Sequence, residues 1–283
     1  MKFLLLAAIA SVAFLSARGS VLTFPDEGRW SIGLGWEDEW PAEWVHADPE
    51  TTESVGEWTI HHGTVKLPDG ELVLRDAERS LPSGLREIRR RWTWTGETPL
   101  EPVTLSIRLQ VEATETRPFL PGINTYGNKA GQAVDPTRIP VISEAAGARG
   151  YYEEHRYPMP VAAVEGDVDG VTIIAALHSL PSPVRYGNLA DQWWSLGFAR
   201  LADDRVELAA LSGPVASNDR NGVVKAMQRR FVDYPGAWCR LEPGAIVDKT
   251  VFVQDPGPVK RGSGFRMVVA DALSLHGQVA VEG

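Results

Sequence analysis

"EWTIHHGTVKLPDGELVLR", residues 57–75, is the stretch of the chain that decides its fold class. Apolar and polar side chains alternate on both sides of Pro68-Asp69-Gly70, a tripeptide typical of a tight turn. A period of two places successive side chains on opposite faces of a β-strand. Two alternating runs joined by such a turn predict a β-hairpin that buries one of its faces.

The alternation recurs along most of the chain. In "PVTLSIRLQVEA", residues 102–113, every second residue from Val103 to Val111 is apolar. Turn signals separate these runs, and no convincing helical period lies between them. Long antiparallel strands without intervening helices predict an all-β protein, built as a large antiparallel β-sandwich. The other runs that favour strands are 85–96, 170–179, 205–211, 221–232 and 245–255.

A helical period appears near the C-terminus, after a segment rich in proline and glycine. The apolar residues at steps of three or four are Phe265, Val268, Val269, Ala272 and Leu275. They predict a short amphipathic helix. Its apolar stripe must pack against another part of the protein to be shielded from water. The helix could dock on the sandwich, or it could be the first helix of a helical domain that this chain does not contain.

The N-terminus, "MKFLLLAAIASVAFLSARGS", has the pattern of a secretory signal peptide. Its apolar run over residues 3–15 is shorter than the roughly 20 residues of a membrane-spanning helix. We predict a signal peptide over 1–19, a sandwich domain over 20–257, and a linker with the helix over 258–283. The protein is then expected to be secreted or periplasmic, with no membrane contact after signal cleavage. An uncleaved N-terminal anchor is the alternative.

Composition narrows the classes of ligand. A net charge of −9 over 283 residues argues against a nucleic-acid partner, because a phosphate backbone selects a basic surface.

Cys239 is the only cysteine, which excludes an intrachain disulfide and a cysteine-based metal site. His61 and His62 are neighbours in an alternating strand and point to opposite faces. The sequence "EGDVDG" at 165–170 lacks the full spacing of a calcium loop and favours a hairpin turn. We predict no metal and no cofactor.

Aromatic residues give a more positive indication. Apolar faces of sugars stack on aromatic rings, while sugar hydroxyls bond to polar side chains nearby. A large sandwich also uses tryptophan to fill the rim of its core, which is the alternative interpretation. The aromatic residues in turn-rich or loop-like surroundings are Trp36, Trp40, Trp44, Tyr126, Tyr151, Tyr152, Tyr157, Tyr186, Trp193 and Trp194.

The segment "FLPGINTYGNKAGQAVDP", residues 119–136, is longer than an ordinary connection between strands. Its glycines permit a tight excursion, and its amide, aromatic and charged side chains suit a polar ligand. It could also simply cover a sheet edge. The predicted ligand-binding residues, from this segment and two others, are Asn124, Tyr126, Asn128, Lys129, His155, Arg156, Tyr157 and Trp193.

Carboxylates are plentiful in two aromatic-rich segments, "WEDEWPAEW" at 36–44 and "YYEEHRYPMP" at 151–160. Hydrolysis of a glycosidic bond needs two carboxyl groups placed about 5–9.5 Å apart across that bond. The sequence alone does not show whether any two of these acids meet that condition. The catalytic residues, if the chain has any, remain unknown at this level.

Three stretches together resemble a known family: "FLPGINTYGNKAG", "HRYPMPVAAVEGDVDGVTIIAAL" and "LEPGAIVDKTVFVQDPGPVKRGSGFRMVVADAL". In this order they are similar to the N-terminal β-supersandwich of bacterial glycoside-hydrolase-like proteins, in which a helical (α/α)6 toroid follows. The resemblance implies a galactose-mutarotase-like supersandwich and an oligo- or polysaccharide ligand. In that family the catalytic acids usually come from the toroid, of which only the first helix would be present. The resemblance therefore implies a secreted, carbohydrate-binding, non-catalytic portion, with a helical domain as possible C-terminal partner.

Two other functions stay open at this point. The chain could be a complete carbohydrate-active enzyme that takes its acids from Glu153, Glu154 or the segment 36–44. It could also be an extracellular structural or adhesion sandwich without a sugar site.

Overall fold

The computed structural model describes residues 22–35, 40–120, 142–154, 160–180, 194–213 and 240–282; for Glu153 and 276–282 it describes the backbone only. Within these ranges the chain forms fourteen strands and a C-terminal helix. The strands are β1 (Trp30–Leu34), β2 (Glu43–Ala47), β3 (Thr51–Val55), β4 (Trp58–Leu67), β5 (Gly70–Ser80), β6 (Arg86–Trp94), β7 (Val103–Glu112), β8 (Thr114–Phe119), β9 (Arg149–Glu153), β10 (Val161–Val168), β11 (Val171–Ser179), β12 (Trp194–Arg200), β13 (Arg205–Ser212) and β14 (Ile246–Pro258). The helix is α1 (Gly264–Glu282).

The described strands form two antiparallel sheets. A six-stranded sheet has the order β2-β1-β7-β13-β12-β9, and an eight-stranded sheet has the order β3-β4-β5-β6-β14-β11-β10-β8. Hairpins such as β4–β5 and β10–β11 join neighbours in the chain, whereas β7 pairs with β13 and β6 pairs with β14 across long sequence separations. The order of the strands therefore brings distant parts of the chain side by side.

The main core lies between the two sheets. On β7 the residues Val103, Leu105, Ile107 and Leu109 are fully buried and face the eight-stranded sheet. Tryptophans from both sheets meet in this layer, and the rings of Trp92 and Trp194 lie 5.6 Å apart. The strict alternation of apolar residues produces this layer, because one face of each strand turns inward.

Charged groups also enter the space between the sheets. Arg90 donates two hydrogen bonds of 2.6 Å to Asp76, and Arg29 adds a third of 2.9 Å. Burial alone would raise the pKa of Asp76, but the two guanidinium groups outweigh it and lower that pKa. The Phe24 ring covers Arg29, whose Cζ lies 4.1 Å from the ring centroid. The buried carboxylate is thus fully compensated, as a buried charge requires.

Helix α1 docks on the outer face of the eight-stranded sheet. Val268 and Ala272 are fully buried there, against β10 and β11. The ring of Phe265 lies 4.4 Å from that of Phe119 on β8. Gly262 donates its backbone N–H to both oxygens of the buried Glu165 just before the helix begins. The sequence left open whether this helix docks on the sandwich or belongs to a further helical domain. The described part of the helix docks on the sandwich.

The structure confirms the predicted all-β antiparallel sandwich with a C-terminal helix. The hairpin of 57–75 is β4 and β5, and the segment 165–170 holds the two-residue turn at Asp169-Gly170. The sequence reasoning missed β1, β2, β3, β8, β9 and β12. Strands β1 and β12 are buried on both faces and β3 is exposed on both, so none of them shows alternation. The predicted strand at 221–232 lies outside the described residues.

Candidate functional site

The outer face of the six-stranded sheet carries three aromatic rings in contact. The ring of Trp40 lies 6.3 Å from that of Trp44 and 5.4 Å from that of Tyr151, measured between centroids. Both tryptophans are half-buried, whereas Tyr151 is 1% exposed. With Arg108, Arg149 and Glu207, these three residues make up what we call the aromatic face.

Two glycines allow the segments that carry these rings to approach the sheet closely. Gly33 pairs with Trp44 across β1 and β2, and a side chain at Gly33 would come within 2.8 Å of the Pro41 ring. Gly197 pairs with Tyr151 across β12 and β9, and a Cβ there would lie 2.6 Å from the Tyr151 ring. A larger residue at either position would push the segment above it off the sheet.

A buried carboxylate lies beneath the rings. Glu207, on β13, is 2% exposed and accepts hydrogen bonds from three side chains. Arg108 Nε lies 2.9 Å away, the Tyr151 hydroxyl 3.0 Å and Gln110 Nε2 3.4 Å. The pairing of β13 with β7 places Glu207 opposite Gln110 and next to Arg108. The network fixes these side chains in one arrangement before any ligand arrives.

Each tryptophan is backed by a guanidinium group. Arg108 Cζ lies 4.3 Å from the centroid of the Trp44 ring, and Arg149 Cζ lies 4.2 Å from that of Trp40. Cation–π contacts of this kind are worth about 0.5–1 kcal/mol at an exposed site and more when they are desolvated. They fix the orientation of both rings.

The surroundings of Tyr151 and His46 favour the neutral form of both side chains. Burial, together with the negative charge of Glu207, raises the pKa of Tyr151 well above its ordinary value, so its hydroxyl remains a donor. Burial and the nearby Arg108 lower the pKa of His46, whose Nδ1 lies 3.1 Å from the Ser31 hydroxyl. Neutral His46 keeps one nitrogen as an acceptor.

This arrangement offers apolar and polar contacts to a ligand side by side. Stacking surfaces and guanidinium donors lie together on one face, which is the combination that polar ligands with apolar patches require. Both oxygens of Glu207 already accept hydrogen bonds from protein side chains. Among the described residues, no group of three or more histidine, cysteine, aspartate or glutamate side chains could hold a metal ion.

A second buried carboxylate, Glu154, lies on the inner side of the same sheet. Lys249 Nζ lies 2.6 and 2.8 Å from its two oxygens and 3.0 Å from the Leu180 carbonyl. Ser179 also donates to Glu154. Lys249 Nζ is 5.0 Å from the centroid of the Trp194 ring. Both oxygens of this candidate acid are therefore occupied in an ion pair inside the core.

The structure brings some of the predicted aromatic residues together on one surface and places others in the core. Trp40, Trp44 and Tyr151 come together on the aromatic face, whereas Tyr152 and Trp194 point into the main core. Trp44, Tyr151, Tyr152 and Trp194 lie in strands, so their assignment to turn-rich or loop-like surroundings was wrong. Strand β9 is too short to show a period, and β12 is buried on both faces. The remaining candidates lie outside the described residues: Trp36, Asn124, Tyr126, Asn128, Lys129, His155, Arg156, Tyr157, Tyr186 and Trp193.

Sequence reasoning missed Arg108, Arg149 and Glu207. Arg108 and Gln110 occupy polar positions that alternate with the buried residues of β7, so their outward direction was available from the pattern. Nothing local indicated that Glu207 or Arg149 would lie beside them, because these residues belong to strands far apart in the chain.

Comparison with known proteins gives structural similarity only. No family model matches the chain, and no curated protein sequence matches it. A crystal structure from Escherichia coli K12, named as an aldose 1-epimerase, is 9% identical with a TM-score of 0.45, over 84% of this chain and 82% of that one. A polysaccharide lyase is 12% identical with a TM-score of 0.29 over 86% of this chain, which spans only 26% of the lyase. Similarities at this level do not define an activity. In the described residues no helix is long and apolar enough to span a membrane.

Proposed function

We propose that this chain is a carbohydrate-binding β-sandwich and that the aromatic face contacts the sugar. One observation carries the proposal. Two half-buried tryptophans lie together on the outside of a sheet, and an arginine stacks on each of them. Below them lies Glu207, whose two oxygens both accept hydrogen bonds. A purely structural cluster would bury its indole rings completely, as the core does with Trp30 and Trp92.

The physical basis is the two-sided character of a pyranose ring. Its C–H face packs on an indole ring, and its hydroxyl groups accept hydrogen bonds from guanidinium groups at the edge. Because Arg108 and Arg149 already orient the indole rings, little side-chain entropy is lost when the sugar binds. The face is thus organised in advance for a ring-shaped, partly apolar ligand.

The same reasoning favours a binding role over a catalytic one. Glu154 and Glu207 are each hydrogen-bonded to protein donors through both oxygens, which leaves neither carboxylate free to contact a substrate. The signal-like N-terminus supports secretion, and the sequence resemblance supports a place beside a toroid in a glycoside-hydrolase-like protein. Secretion, the non-catalytic role and the family are parts of this proposal.

The test is glycan binding by the whole chain, first by array and then by calorimetric titration of the best neutral ligand. Trp40→Ala and Trp44→Ala should each weaken binding several-fold, since one aromatic contact is worth on the order of 1 kcal/mol. Trp44→Phe should retain most of the affinity. Leu273→Ala, which removes an exposed apolar side chain from α1, is the matched control and should bind as the wild type does.

The melting temperature separates binding from folding. If the two alanine variants keep their melting temperature and bind the glycan as tightly as the wild type, the aromatic face is not the site. If no array glycan binds the wild type, the structural or adhesion alternative gains support.

A further inference from the structure

A second surface, on the opposite side of the sandwich, is rich in arginine. The outer faces of β5, β6 and β14 line a cavity of about 620 Å³ beside helix α1. We call it the arginine groove and define it by Arg75, Arg79, Arg89 and Arg91. Phe252, Leu180 and Leu275 form an apolar wall along it.

The register of the strands places the arginines in adjacent rows. Arg75 on β5 lies directly opposite Arg91 on β6, which in turn lies opposite Asp248 on β14. In the next row Arg89 lies between the small side chains of Ala77 and Thr250. Small neighbours on both sides leave the space above the floor open.

The acidic side chains present do not neutralise these arginines fully. Arg91 donates to Asp248 at 2.7 and 2.9 Å, and Arg89 donates through Nε to Glu87 at 2.6 Å. Glu87 is shared, because Arg79 also donates to it at 2.7 Å, and Arg79 has a second partner in Glu57, just before β4. Arg75 makes no ion pair within the part of the chain that the structure describes. Among the described residues, the four arginines of the groove meet three carboxylates, those of Glu57, Glu87 and Asp248, which leaves an excess of positive charge at Arg75.

Arg75 and Arg91 are the two side chains best placed for an incoming anion. Both are exposed, Arg91 by 54%, and like charges directly across two strands destabilise a sheet. Arg79 and Arg89, by contrast, have Cζ atoms 4.4 and 4.7 Å from the centroid of the Trp58 ring, which holds them in place. Asp248 offsets the charge of Arg91 on one side, and an anion bound between Arg75 and Arg91 would offset the charge of Arg75.

We propose that the arginine groove binds the anionic groups of an acidic polysaccharide, either carboxylates or sulfates. Guanidinium groups bind both oxyanions with two parallel hydrogen bonds, and the apolar wall suits the sugar rings between the charges. Because the whole chain carries a net charge of −9, binding of a polyanion would depend on a local excess of arginine such as this one. The proposal does not depend on the aromatic face, because that face belongs to the other sheet.

The experiment is calorimetric titration of the full chain with three probes: heparin oligosaccharides for sulfate, oligogalacturonate for carboxylate, and neutral dextran as a control. The wild type should bind at least one anionic probe, and the affinity should fall when salt rises from about 50 mM to about 300 mM. Binding of heparin alone indicates a groove that accepts sulfate, and binding of oligogalacturonate alone indicates one that accepts carboxylate. Binding of both indicates that the groove accepts either anion. Binding of the anionic probes that salt does not weaken would overturn the proposal, and so would dextran binding that is lost when the groove arginines are changed.

Variants locate the site. The double change Arg75→Gln and Arg91→Gln should weaken anion binding by about tenfold or more, whereas Arg75→Lys with Arg91→Lys keeps the charge and should lose less. Arg240→Gln removes a surface arginine paired with Glu101 and Glu242, and it should bind as the wild type does.

The outcomes also separate the two proposals. If a neutral glycan binds at the aromatic face but neither anionic probe binds, the groove proposal is wrong and the proposed function stands. If the double glutamine variant folds with an unchanged melting temperature and binds within twofold of the wild type, the anion binds elsewhere and the proposal is likewise wrong.

Discussion

At the scale of single residues, two buried carboxylates show how surroundings set the role of a group. Glu207 lies on the outer face of its sheet and is held by neutral and cationic donors under a half-buried aromatic layer. Glu154 lies on the inner side and is paired with Lys249, which is 2% exposed. Burial lowers the pKa of Lys249, and Glu154 opposes that shift. The ammonium group therefore depends on its partner to be tolerated in the core.

This dependence predicts a strong asymmetry between single and double changes. Lys249→Met leaves Glu154 as a buried charge without a counter-ion and should cost about 3–5 kcal/mol in the free energy of unfolding. Adding Glu154→Gln removes the charge, keeps an acceptor for Ser179 and should recover most of that loss. Urea unfolding, followed by tryptophan fluorescence, measures both.

The control for this prediction is an exposed ion pair of similar geometry. Arg91 and Asp248 are more than half exposed, so Arg91→Met should change stability by no more than about 1 kcal/mol. A Lys249→Met variant as stable as this control would show that the buried pair contributes little.

At the scale of elements, helix α1 shows how an amphipathic pattern finds its partner. Val268 and Ala272 are fully buried, Phe265 is partly buried, and the outward residues Met267 and Leu273 are 50% and 59% exposed. The buried side meets small and branched residues of β10 and β11, namely Val161, Ala163, Ile174 and Ala176. The helix is thus part of the folded unit.

We expect truncation before residue 260 to lower the melting temperature, because it exposes the apolar outer face of β10 and β11. The dye ANS should then bind to that face. A finer version is Val268→Ala, which should cost about 2 kcal/mol through lost burial and the cavity left behind. Leu273→Ala on the exposed side should stay within about 0.5 kcal/mol of the wild type. A truncated chain with an unchanged melting temperature would contradict this account of the helix.

At the scale of the whole molecule, one apolar layer connects the two sheets. Residues of strands in both sheets belong to the same buried cluster, and Trp92 of the eight-stranded sheet packs on Trp194 of the six-stranded sheet. The two proposed binding surfaces lie on the outer sides of these sheets. Damage to the shared layer should weaken both surfaces together, whereas changes on one outer face should affect that face only.

Two isoleucines test the position of this layer. Ile107 is fully buried between the sheets, and Ile246 is 59% exposed on the outer side of the eight-stranded sheet. Ile107→Ala should cost about 2–5 kcal/mol, while Ile246→Ala should cost no more than about 0.5 kcal/mol. Denaturant unfolding followed by far-UV circular dichroism and by tryptophan fluorescence should show the same midpoint shift. Equal effects of the two changes would place the core elsewhere.

The sequence by itself determined the fold class and much of the local structure. Alternation and a Pro-Asp-Gly turn predicted the hairpin β4–β5, and a step of three or four predicted α1. These features are local, since the period of a strand or helix and the chemistry of a turn are set by neighbours in the chain. The same rule gave the inward direction of Ile107 and the outward direction of Arg108.

Only the tertiary structure decided which outward residues meet. Trp40, Arg108, Tyr151 and Glu207 come from four segments, and they become neighbours because the sheet order sets β1 beside β7, β7 beside β13, and β9 beside β12. Likewise, Arg91 and Asp248 meet because β6 pairs with β14. Alternation fixes the face on which a side chain lies, but it does not fix the strand that lies beside it. Strand order depends on how the whole apolar layer packs, and this is why both proposed sites came from the fold.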